Sequence, residues 1–122
     1  MKKHKFTNAL DFLNKKVEVV IDRPLGSKHP THGFLYKSNY GHIPNTNSPD
    51  GEELDAYVLD INKPSKFFRG KCIAVIRRTN EDDDKLVVIP ENKTLTDKQI
   101  QTTVERVIQD IASIYQEEMS MR

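Results

Sequence analysis

Apolar positions along this chain fall into short blocks with two different periods. Near the start Leu10 and Leu13 share a face at helical spacing and Thr7 or Asn8 can cap the turn, so a short helix is expected near Asn8 to Lys15. Val17-Glu18-Val19-Val20-Ile21 is β-branched and runs into Arg23-Pro24-Leu25-Gly26, which predicts a strand entering a loop. The loop continues through Ser27 to Gly33, Phe34-Leu35-Tyr36 reads as a short strand, and Asn39 to Gly51 is nearly all turn chemistry. A long polar loop inside a compact domain is ordinarily functional or disordered.

Leu54 to Ile61 predicts a strand, followed by a connection from Asn62 to Gly70 that holds Pro64 and Phe67-Phe68. Lys71 to Arg78 and Lys85 to Ile89 are two further strands, joined across Thr79 to Asp84 as a hairpin. Thr96-Asp97-Lys98-Gln99 is a capping box, and Ile100, Val104, Val107, Ile108, Ile111, Ile114 and Tyr115 then recur at helical spacing. Strands first and one amphipathic helix last predict an α+β fold: a small β-barrel or curled sheet of four or five strands, with the terminal helix covering one opening.

Composition narrows the class. With 122 residues, 36% hydrophobic and 30% charged, residues 1–122 are expected to form one ordinary domain. Lys and Arg number 19 against 18 Asp and Glu, and the net +1 is spread along the chain, so no global field favours nucleic acid or anionic lipid. No apolar run is long enough to span a bilayer and no signal-type core follows Met1-Lys2-Lys3, which predicts a cytoplasmic protein that does not bind membrane. The one cysteine, Cys72, lies in an apolar strand block and is expected to be a buried thiol.

The chemistry concentrates in two acidic loops. Asp50-Gly51-Glu52-Glu53-Leu54-Asp55 places carboxylates where a turn enters a strand, and Gly51 lets the first of them fold back toward Asp55. Hard oxygens in such a cup suit Mg²⁺ or Mn²⁺. Glu81-Asp82-Asp83-Asp84 is the second cluster; taken alone, an acidic run at a hairpin tip is ordinarily just solvated. Neither stretch has EF-hand spacing. His29, His32 and His42 sit in loops, and with one strand cysteine they make a poor zinc set.

Three motifs agree in order and separation: Tyr36-Lys37-Ser38-Asn39-Tyr40-Gly41-His42-Ile43-Pro44, then Asp50-Gly51-Glu52-Glu53-Leu54-Asp55, then Asp83-Asp84-Lys85-Leu86. From about Val17 to Pro90 the chain resembles the soluble family I inorganic pyrophosphatases, as a short and divergent member. The resemblance implies a five-stranded barrel of the OB type with helices packed against it, and Mg²⁺-dependent hydrolysis of diphosphate by a metal-activated water. By position it implies Asp50, Asp55 and Asp83 as metal ligands, with Asn80, Glu81 or Asp82 as the remaining acid, of which Asp82 is taken here. It implies Glu52 as the group orienting the attacking water beside Asp55, and Tyr40, Lys85 and Tyr115 as phosphate contacts. Asp22 falls where the family has a Glu near the metals.

The chain also departs from that pattern. The family's Lys-Tyr-Glu segment and a strand carrying an Arg have no clear counterparts, Gln116 stands where the family has a Lys, and Glu52 replaces an Asp. Lys28 and Arg23 are the candidate replacements for the missing phosphate ligands, and Arg23, Lys28, His29 and His32 together are candidates for an anion cup. Tyr36 and Tyr57 are expected to line the barrel or its core, and Phe67-Phe68 to form a satellite core or a contact between copies. The alternative function is a non-enzymatic module binding a divalent cation or phosphate ligand on the same scaffold. Single-stranded nucleic acid is disfavoured because aromatic platforms are few and there is no Trp.

Overall fold

Val17, Val19 and Ile21 alternate to one side of strand β1 (Lys16–Arg23) and are buried there, while Lys16 and Glu18 face water. That alternation sets the inside of a barrel. β1 pairs antiparallel with β2 (Asn39–His42) on one side and with β4 (Phe67–Ile76) on the other. β3 (Asp55–Val58) pairs antiparallel with β2 and parallel with β5 (Lys85–Ile89), and β5 returns antiparallel to β4. The sheet therefore closes in the order β1-β2-β3-β5-β4, which is the OB arrangement. The computed structural model describes residues 7–29, 33, 35–47, 51–77 and 84–120, with side chains as far as residue 109.

Two apolar clusters lie on opposite faces of the strands. Val17, Val19, Ile21, Ala56, Val58, Cys72, Leu86 and Val88 fill the barrel, joined by Ala9 and Phe12 from a 3-10 turn (Ala9–Phe12) capped by Asn8, whose side chain accepts from Leu10 N. Cys72 is fully enclosed, and burial pushes its thiol up to about 11, as expected of an inert strand cysteine. Outside the barrel, Ile73, Ile76, Val87 and Ile89 meet Ile100, Val104 and Val107 of α1 (Asp97–Ser120). Thr96 and Gln99 exchange the reciprocal capping-box hydrogen bonds at its start, 2.8 and 3.2 Å long.

The helix thus lies against the outer face of β4 and β5 and does not cover an opening of the barrel. The reason is legible in β5, where Lys85 to Ile89 are buried at every position, the mark of a strand covered on both faces. Strand β4 begins at Phe67, inside the expected connection, and Phe68 packs against the barrel interior while Phe67 stays half exposed. Leu35 contributes an isolated bridge to Lys28 in place of the expected short strand, Phe34 lying outside the described residues. The hairpin tip joining β4 to β5 also lies largely outside them.

The main correction is β2, where turn chemistry led to the expectation of a loop. Its two turn-type residues are there for close packing. A β-carbon at Gly41 would overlap the Val20 carbonyl of β1, so only glycine lets the two backbones approach. Asn39 is completely buried: its Oδ1 accepts from Leu25 N at 2.9 Å and Ser65 N at 3.2 Å, and its Nδ2 donates to the Lys63 carbonyl at 3.1 Å. One side chain ties two loops to the end of β2. Asn39→Ala strands those partners, and at about 1 kcal/mol or more for each lost bond it should destabilise the protein by about 3 kcal/mol in a urea melt.

Candidate active site

Residues paired across neighbouring strands share a face, so the barrel register assigns the site row by row. His42, Asp55 and Lys85 align in one row and Tyr40, Tyr57 and Val87 in the next, across β2, β3 and β5. Ala56 and Leu86, between them in sequence, point into the core. The candidate site is consequently on the outside of the barrel, beside the half that α1 covers. The start of β3 is pinned by Thr46, whose Oγ1 accepts from Leu54 N at 2.8 Å and donates to the Ile43 carbonyl at 2.6 Å.

Lys85 is at the centre. Its side chain is only 7% exposed, and Nζ donates to Tyr40 Oη at 2.9 Å and to Asp55 Oδ2 at 3.0 Å. Burial, reinforced by the Asp55 carboxylate, drives the Tyr40 phenol far above its ordinary range, so the hydroxyl stays protonated and hydrogen-bonds Asp55 as well. Tyr40 stacks on Tyr36 with centroids 5.8 Å apart and meets Tyr57 at 4.8 Å, while His29 stacks with Tyr36 at 6.2 Å. Tyr57 also packs against the cluster under α1, so it joins the site to the helix. Tyr36 and Tyr57 belong to this outer aromatic ladder and do not line the barrel, while the packing of Tyr57 against the helix cluster meets the expectation of a core contact.

A second polar group lies in the same row as Asp55 and Lys85. His42 Nδ1 lies 2.7 Å from Asp22 Oδ2, and Nε2 lies 3.7 Å from Glu53 Oε1. The hydrogen bond to Asp22 raises the imidazole pKa against the opposing pull of burial, with the charges of Asp22, Glu53 and Asp55 adding to it. Sequence reasoning counted His42 as a loop histidine and missed the link to Asp22. The period-two spacing of Tyr40 with His42, and of Asp55 with Tyr57, was a signal for strands with a shared polar face, while the partner Asp22 depends on the β1–β2 register.

Of the residues singled out from sequence, the structure joins Tyr40, Asp55 and Lys85. Glu52 is exposed on the turn after Gly51, which adopts φ 87°, and Lys28 is exposed in the loop opposite Leu35. Asp50, Asp82 and Asp83 lie outside the described residues, as does the side chain of Tyr115 in α1. Among the described residues no three His, Cys, Asp or Glu side chains converge into a metal cage. The donors present, the carboxylates of Asp22, Glu53 and Asp55, are hard oxygens of the kind Mg²⁺ takes, and the neighbouring imidazole is held by two of them. The donor chemistry fits a hard divalent cation.

The His42–Asp22 pair has a pH signature. Because the folded-state pKa lies above the ordinary 6.5, the stabilisation is full below that value and is lost as pH rises through the folded pKa. With both groups partly in solvent, screening limits the pair to about 1 kcal/mol or less. Thermal melts of wild type and His42→Gln in EDTA should therefore differ by a few degrees at pH 6 and converge at pH 9. A difference independent of pH would remove the charge interaction.

Comparison with known proteins places this site in context. An inorganic pyrophosphatase of Pseudomonas aeruginosa is 37% identical over 64 residues, 49% of this chain and 37% of that protein, and one of Yersinia pestis is 32% identical over 85 residues, 63% and 49%. The matched stretch spans less than half the length of either relative. A solved inorganic pyrophosphatase from Neisseria gonorrhoeae superposes with a TM-score of 0.53 over 80% of this chain and 73% of that one, a likeness of fold at 22% identity. No helix among the described residues is long and apolar enough to cross a membrane. The family model described as inorganic pyrophosphatase matches residues 7–120, and with nearly the whole chain inside it this protein belongs to the inorganic pyrophosphatase family.

Proposed function

We propose that this chain hydrolyses inorganic diphosphate to two phosphates, with Mg²⁺ as the working cation and Mn²⁺ as a substitute. The observation that carries the reading is the Tyr40–Asp55–Lys85 group, a buried ammonium fixed beside a carboxylate on the outer face of a barrel from this family. Asp50, Asp55, Asp82 and Asp83 are the proposed cation ligands. A divalent ion held there masks phosphoryl charge and eases deprotonation of water, the two things diphosphate hydrolysis lacks in solution.

The protein's own groups supply orientation. Lys85 is already immobilised by Tyr40 and Asp55, so little freedom is lost when it meets a phosphoryl oxygen. Tyr40, held protonated, adds no negative charge to repel the anion, and its one O–H can turn from Asp55 to a phosphoryl oxygen. Glu52 is proposed to orient the attacking water, and Lys28 and Tyr115 to contact phosphate. Glu52 is exposed at the turn before β3.

Phosphate release by the purified protein tests this directly, across diphosphate, triphosphate and nucleotides, with Mg²⁺, with Mn²⁺ and in excess EDTA. Release is expected from diphosphate with either cation and to stop in EDTA. Asp50→Asn, Asp55→Asn, Asp83→Asn and Glu52→Gln should each lower kcat by about 100-fold or more. Asp84→Asn, in the spacer between Asp83 and Lys85, should stay within a few-fold, and Lys28→Ala should raise KM more than it lowers kcat. Full activity in EDTA would contradict the metal requirement. Binding of diphosphate without turnover would favour the non-enzymatic module.

A further inference from the structure

We propose that Arg23 is a second phosphoryl-group ligand of this site, turned onto the same outer face as Lys85 by a β-bulge at Asp22. The proposal rests on the diphosphate reading above and names a cation that reading left unused. Strict alternation along β1 puts Val17, Val19 and Ile21 inside the barrel and would put Arg23 there too. The register shifts between Ile21 and Arg23, leaving Asp22 as the extra residue and pairing Arg23 with Tyr40. Two consecutive charged residues then serve one face: Asp22 holds His42, and Arg23 lies beside the tyrosine ladder.

The surroundings of Arg23 suit an anion. Its side chain hydrogen-bonds the Tyr36 hydroxyl, and the same phenol lies within electrostatic reach of both Arg23 and Lys85. Tyr36 in turn stacks on Tyr40, whose hydroxyl accepts from Lys85. Two cations are therefore held at a stacked tyrosine pair, one by each phenol, which matches an anion carrying charge at two ends. Arg23 also donates to the Asp22 carbonyl at 3.4 Å, and among the described residues no carboxylate forms an ion pair with it. A guanidinium presents a planar fork that can meet two phosphoryl oxygens at once, which an ammonium cannot.

The rival account is that Arg23 only props Tyr36. Binding separates the two, because a prop does not distinguish one phosphoryl group from two. The dissociation constants of methylenediphosphonate and of orthophosphate, measured by calorimetry in Mg²⁺ on folded protein, should respond differently to substitution. Arg23→Gln is expected to weaken methylenediphosphonate by about tenfold or more and orthophosphate by about threefold or less, and Arg23→Lys to recover part of the loss. Arg69→Gln removes a surface guanidinium paired with Glu18 on another part of the barrel, and should leave both constants unchanged.

Unchanged diphosphonate binding in Arg23→Gln, or equal weakening of both anions, would overturn the proposal while leaving the proposed function standing. If Arg23→Gln fails to fold by circular dichroism, Arg23→Lys decides: wild-type affinity for methylenediphosphonate would show that no fork is used and overturn it. Failure of the wild-type protein to bind methylenediphosphonate at all would remove the diphosphate reading and the ligand role of Arg23 together.

Discussion

A buried ammonium is the constraint on which this structure turns. Lys85 opens β5 with its side chain almost out of solvent, and an unpaired charge in such a place costs several kcal/mol. Two of its partners come from other strands, Tyr40 from β2 and Asp55 from β3, and they reach it only in the observed register. A slip of one residue in the parallel β3–β5 pairing would send Asp55 into the barrel and Ala56 to the outer face. The charge pair and the apolar core therefore specify the same register, and the site geometry follows from it.

The exterior of the barrel divides into two halves with different chemistry. Ile73 and Ile76 of β4 with Val87 and Ile89 of β5 form an apolar outer patch that α1 covers; Arg23, Tyr40, His42, Asp55 and Lys85 form a polar one over β1, β2, β3 and the start of β5. Tyr57 stands at the boundary, with its ring against Tyr40 on one side and the helix cluster on the other. Packing of the helix thus limits how far the aromatic ladder can move. The polar half owes its shape to two local devices, the bulge at Asp22 and the close β1–β2 approach at Gly41.

Much of this was legible in the sequence, and the exceptions have physical causes. Lys85-Leu86-Val87-Val88-Ile89 and the Thr96 capping box gave β5 and the start of α1, because apolar periodicity and caps are local signals. Asn39 to His42 looked like a loop because asparagine and glycine usually serve turns; here they serve a buried hydrogen-bond junction and a backbone contact, both made by residues distant in sequence. Tyr40, Asp55 and Lys85 were identified through their motifs. The link between His42 and Asp22, and the outward turn of Arg23, depend on strand register and a bulge, which no local pattern encodes.

The claim that one buried charge pair fixes both register and site is tested most directly by a double-mutant cycle of Asp55→Asn and Lys85→Met, read as unfolding free energy in urea with EDTA present. Asp55→Asn should cost about 3 kcal/mol because it takes the carboxylate away from the more buried charge. Lys85→Met should cost less, since Asp55 retains 29% exposure and can be solvated. The double variant should be more stable than Asp55→Asn alone, with a coupling above about 1 kcal/mol. Additive effects, with no coupling between the two positions, would contradict the account.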